Sequence, residues 1–232
     1  SFVVNLAKEF NGRVLALEHR FYGMSQPTAD WSTENLQYLT PDQGLADLAY
    51  FATNKSREFS EKFGIPHRRW IAVGGSYPGA MSAWFRYKYP HVAFASLSSS
   101  GVVNAIHDYH QYDEQVFNST AKSGVECPER FIKFTQYVES QVNAGKRREI
   151  FSRYGYDGDL EDGEFYYFLG DLVAGPVQYG ANTTFCEDLL ALPADMEAIF
   201  NWTIGFAEKQ GLDLKDYAAK LSRTLLLTST ET

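Results

Sequence analysis

Between Phe2 and Phe10 the apolar residues recur at helical spacing. They predict a helix that ends at Asn11-Gly12, where the glycine takes a left-handed cap. Arg13-Val14-Leu15-Ala16-Leu17 is an apolar run of strand length. It is stopped by the polar group Glu18-His19-Arg20 and the turn-like Phe21-Tyr22-Gly23, and it predicts a buried parallel strand. Thr40-Pro41-Asp42-Gln43 opens a long helix in which Thr40 suits the cap, Pro41 the first position and Asp42 the positive end of the dipole. Leu45, Leu48, Ala49 and Phe51 follow at helical spacing. Pro66-His67-Arg68-Arg69 leads into a second buried strand, Trp70-Ile71-Ala72-Val73, followed at once by Gly74-Gly75-Ser76-Tyr77-Pro78-Gly79-Ala80. A helix is expected from Ala80 to Tyr89, before Pro90, and a strand over Phe94-Ala95-Ser96-Leu97-Ser98. Alternation of this kind indicates a parallel sheet covered on both faces by helices.

Beyond about residue 105 the pattern changes. Glu129 to Val142, Gly163 to Val173, Phe185 to Leu192 and Leu214 to Leu221 carry helical periodicity, and the next strand signal is Leu225-Leu226-Leu227. The expectation is an α/β fold with a partial core over residues 1–105 and a helical cap or insertion over 106–232. A chain that opens on Ser1 directly in a helical pattern, without an initiator Met or signal peptide, is expected to begin inside its domain.

At 44% hydrophobic and 22% charged residues, the composition is that of a packed globular protein. The net charge of -8 comes with no Lys/Arg cluster long enough to follow a phosphate backbone, which excludes nucleic acid as an expected partner. Lys146-Arg147-Arg148 reads as a solvated helix start. No apolar stretch approaches the ~18 to 20 residues of a membrane helix. Cys127 and Cys186 are too few for a disulfide framework, and nothing beside them has metal-ligand spacing, so two buried thiols is the simplest reading. Against it stand Asn-x-Ser/Thr sequons at Asn54, Asn118, Asn182 and Asn201, a mild excess among nine asparagines. They favour an oxidising compartment, in which a Cys127–Cys186 bridge would close a long loop. No metal or organic cofactor is indicated.

The chemistry concentrates at Ser76. A serine between a buried strand and a helix, with small residues around it, is what a nucleophile elbow of an α/β-hydrolase requires. Gly74 supplies the small residue two before it. The G-x-S-x-G pattern expects glycine where Pro78 stands, and Gly79 falls one position late. A proline is tolerable in the first helical turn, where no N–H is needed. In this geometry the Tyr77 N–H faces the position of the oxyanion, aided by the positive end of the helix. A phosphate-cradling loop would want a Lys-Ser/Thr pair, which is absent. The histidines, His19, His67, His91, His107 and His110, leave none after residue 110, so the order nucleophile, acid, histidine is not completed here. His107 and His110 read as cap-helix surface residues.

Three stretches together resemble the lysosomal Pro-Xaa carboxypeptidase family of serine peptidases. They are Glu18-His19-Arg20-Phe21-Tyr22-Gly23-Met24-Ser25, then Leu39-Thr40-Pro41-Asp42-Gln43-Gly44-Leu45-Ala46-Asp47-Leu48, then Gly74 to Ala80 running into Ala83-Trp84-Phe85-Arg86-Tyr87-Lys88-Tyr89-Pro90. Val177-Gln178-Tyr179-Gly180 and Cys186 extend the likeness, and the Pro78 variant looks closer to the plant-like branch. The resemblance implies a partial α/β-hydrolase core lacking N- and C-terminal parts of the fold, with a helical domain inserted after the strand that follows the elbow. It implies a secreted, lysosomal or vacuolar serine exopeptidase acting on peptides after proline or a small residue, with a homodimer as an allowed assembly. Ser76 would be the nucleophile, the Tyr77 amide an oxyanion donor and Cys127 the disulfide partner of Cys186. The family's catalytic Asp and His lie in a segment expected after this chain. Glu18, His19 and Arg20 would either anchor a peptide terminus or, on the blander reading, form an ion pair supporting the elbow. An esterase or lipase on the same fold, and a non-catalytic pseudo-hydrolase binding module, are the competing expectations.

Overall fold

The computed structural model describes residues 2–64, 68–158, 160–180 and 184–217 of the chain. It divides into two compact units, with the division between His107 and Asp108.

In the first unit the elements are α1 (Phe2–Glu9), α2 (Thr33–Leu36), α3 (Pro41–Phe63), β1 (Trp70–Gly75), α4 (Tyr77–Lys88) and β2 (Ala93–Ser99). β1 and β2 pair in parallel, with Ile71 opposite Ala95 and Gly75 opposite Ser99, and α4 makes the crossover that parallel neighbours require. The start of α3 follows from its sequence: the Thr40 hydroxyl accepts the Gln43 N–H and Pro41 takes the first turn. Its end is set by Gly64 at φ 65°. Leu45 from α3, Met81 and Phe85 from α4, and Ala93 from β2 form the buried centre, flanked by Leu48, Ala49, Ala72 and Trp84.

Four expectations for this unit are corrected. The run Arg13–Leu17 forms no strand, and Val14, Leu15 and Leu17 are exposed. An apolar run encodes a preference for burial, but a strand exists only as one side of a hydrogen-bonded ladder, and this segment has no partner among the described residues. Helical cover on both sheet faces is likewise not found among the described residues, since Ile71, Phe94 and Leu97 are exposed. The left-handed residue after α1 is Asn11, at φ 48°, rather than Gly12. Asparagine tolerates that region better than other side chains do. Finally, α4 begins at Tyr77, three residues before the expected start at Ala80. Tyr77, Pro78 and Gly79 form its first turn, where a proline costs nothing.

The second unit is helical: α5 (Gln111–Thr120), α6 (Glu126–Gln141), α7 (Arg147–Arg153), α8 (Asp162–Tyr179), α9 (Phe185–Ala191) and α10 (Met196–Gln210). Gly145, at φ 85°, takes the bend between α6 and α7. The basic run at 146–148 does start a helix, with Arg147 paired to Asp162 at 2.5 Å. Aromatic rings fill the core: Phe134, Phe151, Phe165, Phe168 and Phe200 are fully buried, with Phe151 and Phe165 centroids 4.8 Å apart. One polar pair inside that core is fully satisfied. The Tyr154 hydroxyl donates to the Thr203 hydroxyl at 2.8 Å, which donates to the Phe200 carbonyl at 2.7 Å, and burial pushes the Tyr154 hydroxyl well above its ordinary range. A disulfide joins Cys127, in α6, to Cys186, in α9, across 59 residues of sequence.

Asn118 is exposed near the end of α5. Asn54 lies within α3, bonded to the Tyr50 carbonyl and Arg57, and Asn201 lies within α10, accepting from Arg153. Asn182 and the strand expected at Leu225–Leu227 fall outside the described residues, and the helix expected from Leu214 is described only to Tyr217. No helix among the described residues is long and apolar enough to cross a membrane.

Phe134→Ala removes a fully buried ring from the second unit and should cost about 3–5 kcal/mol, read from urea unfolding followed by circular dichroism. Thr40→Ala should cost about 1 kcal/mol by the same measurement, through loss of the α3 cap.

Candidate active site

Ser76 stands alone between the last residue of β1 and the first of α4, and it is exposed. Its backbone lies at φ 60°, ψ −124°, a region that costs an L-residue roughly 1–3 kcal/mol. Two bonds fix it there: the Ser76 N–H donates to the Ser99 carbonyl, and the Ser76 carbonyl accepts the Ala80 N–H, each at 3.0 Å. The first ties the turn to the end of β2 and the second starts the helix.

Small residues around the turn are there because backbone meets backbone. A Cβ on Gly74 would lie 2.0 Å from the Pro78 carbonyl oxygen and 2.2 Å from its carbon. One on Gly79 would lie 2.8 Å from the Ser99 oxygen and 3.0 Å from the Gly101 Cα. Pro78 therefore occupies the position where the consensus places glycine, while the tight packing of helix on strand falls on Gly79. Gly75 is different: its Cβ would meet only the Ser99 oxygen, at 3.8 Å.

Tyr77 is the first helical residue, so its N–H has no partner within α4 and sits at the positive end of that helix. Its ring packs against the buried centre of the first unit, and its hydroxyl meets His19 Nε2 at 3.1 Å. Burial, with a contribution from Tyr22, pushes the hydroxyl above its ordinary range, so it stays protonated and donates.

The Glu18-His19-Arg20 group does not sit at the end of a strand, since none forms there, but all three side chains are engaged. Glu18 accepts the Met24 and Ser25 N–H groups at 2.9 Å, and the Ser25 hydroxyl together with those amides holds its carboxyl below the usual range. Arg20 grips Asp47 of α3 through two bonds, at 2.6 and 2.7 Å, and also bonds Gln43 and the Tyr38 carbonyl. The contacts are those of a brace between the 18–25 loop, α3 and the elbow. Gln43, Gly44, Asp47 and the Tyr77 side chain are the members of this brace that pattern reading did not pick out. The one available signal was Gly44, an isolated glycine inside a helical pattern.

Among the described residues of the first unit, no histidine is hydrogen-bonded to Ser76: His19 is held by Tyr77 and Arg20, and the His91 ring lies beside Tyr89. His110, in the second unit, lies 3.8 Å from Glu114, and His67 falls outside the described residues. No group of three or more metal-ligating side chains occurs among the described residues.

A sharp strand-to-helix turn carrying an exposed serine is the backbone geometry that a nucleophile elbow requires. A family model described as serine carboxypeptidase S28 matches residues 1–192, and the chain belongs to that family. The chain is 35% identical over 189 residues to "Probable serine protease EDA2" of Arabidopsis thaliana, an alignment covering 80% of this chain and 38% of that protein. It is 36% identical over 176 residues to "Probable extracellular serine carboxypeptidase" of Arthroderma benhamiae, covering 75% and 24% respectively. It is 34% identical over 188 residues to the human "Thymus-specific serine protease", covering 77% and 36%. The chain thus spans less than two fifths of the length of these relatives.

Gly74→Ala forces a methyl into the Pro78 peptide, where no side-chain rotation relieves it, and should destabilise the first unit by about 3 kcal/mol. Gly75→Ala, one residue on, should be tolerated within about 0.5 kcal/mol. Thermal unfolding of the two variants side by side checks the contrast.

Proposed function

We propose that this chain carries the nucleophile and one oxyanion donor of a serine-type exopeptidase that cleaves peptides after proline or a small residue. The observation that carries the proposal is the strained backbone of Ser76 between the end of β1 and the start of α4, which supports reading its hydroxyl as the nucleophile and the Tyr77 N–H as an oxyanion donor. Family membership supports the reaction type, and two relatives bear names of a serine carboxypeptidase and a serine protease.

In the reaction, the Ser76 Oγ attacks the scissile carbonyl carbon while its proton passes to a base. The carbonyl oxygen becomes an oxyanion, stabilised by the Tyr77 N–H and the N-terminal end of α4. The C–N bond then breaks, the leaving amine takes the proton back from the base, and water hydrolyses the acyl ester to regenerate Ser76. The base and its orienting acid are a histidine and an aspartate supplied from outside the described residues, in the order usual for this fold. The disulfide, the sequons and a relative named as extracellular support a secreted, lysosomal or vacuolar location.

In protein expressed from the complete gene, a fluorophosphonate probe should label Ser76, and Ser76→Ala should abolish labelling and lower hydrolysis of an Xaa-Pro peptide by at least about 10³-fold. Undiminished labelling of the alanine variant removes the proposal. Faster turnover of short acyl esters than of Xaa-Pro peptides assigns an esterase, and no turnover of either assigns a binding module.

A further inference from the structure

Gly44 lies in the body of α3, where glycine is worth about 0.5–1 kcal/mol less than alanine. What fills the space a methyl would take is the His19 ring, with the end of Met81 beside it: a Cβ on Gly44 would lie 2.7 Å from His19 Nε2, 3.1 Å from Met81 Cε and 3.3 Å from His19 Cε1. The other ring nitrogen, Nδ1, is 2.8 Å from the Arg20 carbonyl. A carbonyl only accepts, so Nδ1 carries the proton and Nε2, in the neutral ring, presents a lone pair. That lone pair receives the Tyr77 hydroxyl. The Arg20 backbone that orients the ring is in turn anchored to α3, because the Arg20 side chain holds Asp47 of the same helix.

We propose that His19 is a positioning residue for the reaction. By accepting the Tyr77 hydroxyl it fixes the far end of the Tyr77 ring, and through that ring the direction of the Tyr77 N–H toward the oxyanion. The inference rests on Ser76 being the nucleophile. The amide needs such help because it follows directly on a strained residue and has no hydrogen-bond partner within α4. The peptide that carries this N–H is already held at its carbonyl by the Ala80 N–H, and the ring, clamped at its hydroxyl, adds a restraint from the side-chain end. Gly44 is then a helix glycine kept bare for a histidine that never touches the substrate.

The test uses Tyr77→Phe, Gly44→Ala and the double variant, each in protein from the complete gene. The Gly44 methyl meets the far ends of the His19 and Met81 side chains, the histidine more closely, so the ring shifts most while the helix stands. Both single variants should lower kcat on an Xaa-Pro peptide about tenfold, with KM changed less than about twofold, since the lost contribution acts in the transition state. The thermal midpoint of Gly44→Ala should stay level or rise. Both act on the same bond, so the double variant should be no slower than the worse single. Wild-type kcat in either single variant, an effect confined to KM, or a roughly hundredfold loss in the double overturns the proposal. Fluorophosphonate labelling separates the two layers: labelling that persists in Ser76→Ala removes the nucleophile itself, whereas labelling lost there alongside normal kcat in Tyr77→Phe removes only the role of His19.

Discussion

Holding an L-serine at φ 60°, ψ −124° costs roughly 1–3 kcal/mol, and the first unit is arranged so that this cost is met locally. The turn can be that sharp only because Gly74 lets the Pro78 peptide pass within van der Waals distance of its Cα, and because Gly79 and Gly101 do the same where the helix crosses the end of β2. The hydrogen bond from Ser76 to Ser99 makes the neighbouring strand part of the restraint, so the Ser76 backbone is held by the sheet and the helix jointly. The 18–25 loop and α3 add a brace from the other side, through Arg20, Asp47 and His19.

The two units achieve cohesion by different means. The first has a small aliphatic and aromatic centre of Leu45, Met81, Phe85 and Ala93, and devotes its polar side chains to long-range bonds that fix the elbow. The second packs ring on ring, with Tyr154 and Thr203 as a closed polar pair within the aromatic core, and adds a covalent link between α6 and α9. Precise placement suits a unit bearing a nucleophile, whereas a dense aromatic interior suits one that supplies shape.

Much of this was legible in the residues. Thr40-Pro41 marks the start of α3 by cap chemistry alone, and the strand, serine, helix order at Trp70–Lys88 follows from an apolar run meeting glycines and then helical spacing. The elbow was readable because its steric demand falls on neighbours in sequence. The brace was harder to read because its demand falls on residues far apart: nothing local to Gly44 or Asp47 announces that His19 and Arg20, more than twenty residues earlier, need them. Arg13–Leu17 shows the converse, since its composition specifies a strand while strand formation depends on a partner elsewhere. The expected start of α4 at Ala80 misses Tyr77, Pro78 and Gly79, its first turn, although a proline suits that place.

Both cysteines of the chain fall in the second unit, and they are bonded to each other. Within this chain a reducing environment therefore finds its disulfide in the helical unit and no cysteine in the first. Reducing agents thus offer a way to open the covalent link between α6 and α9, and glutathione would do the same to any copy held in a reducing compartment.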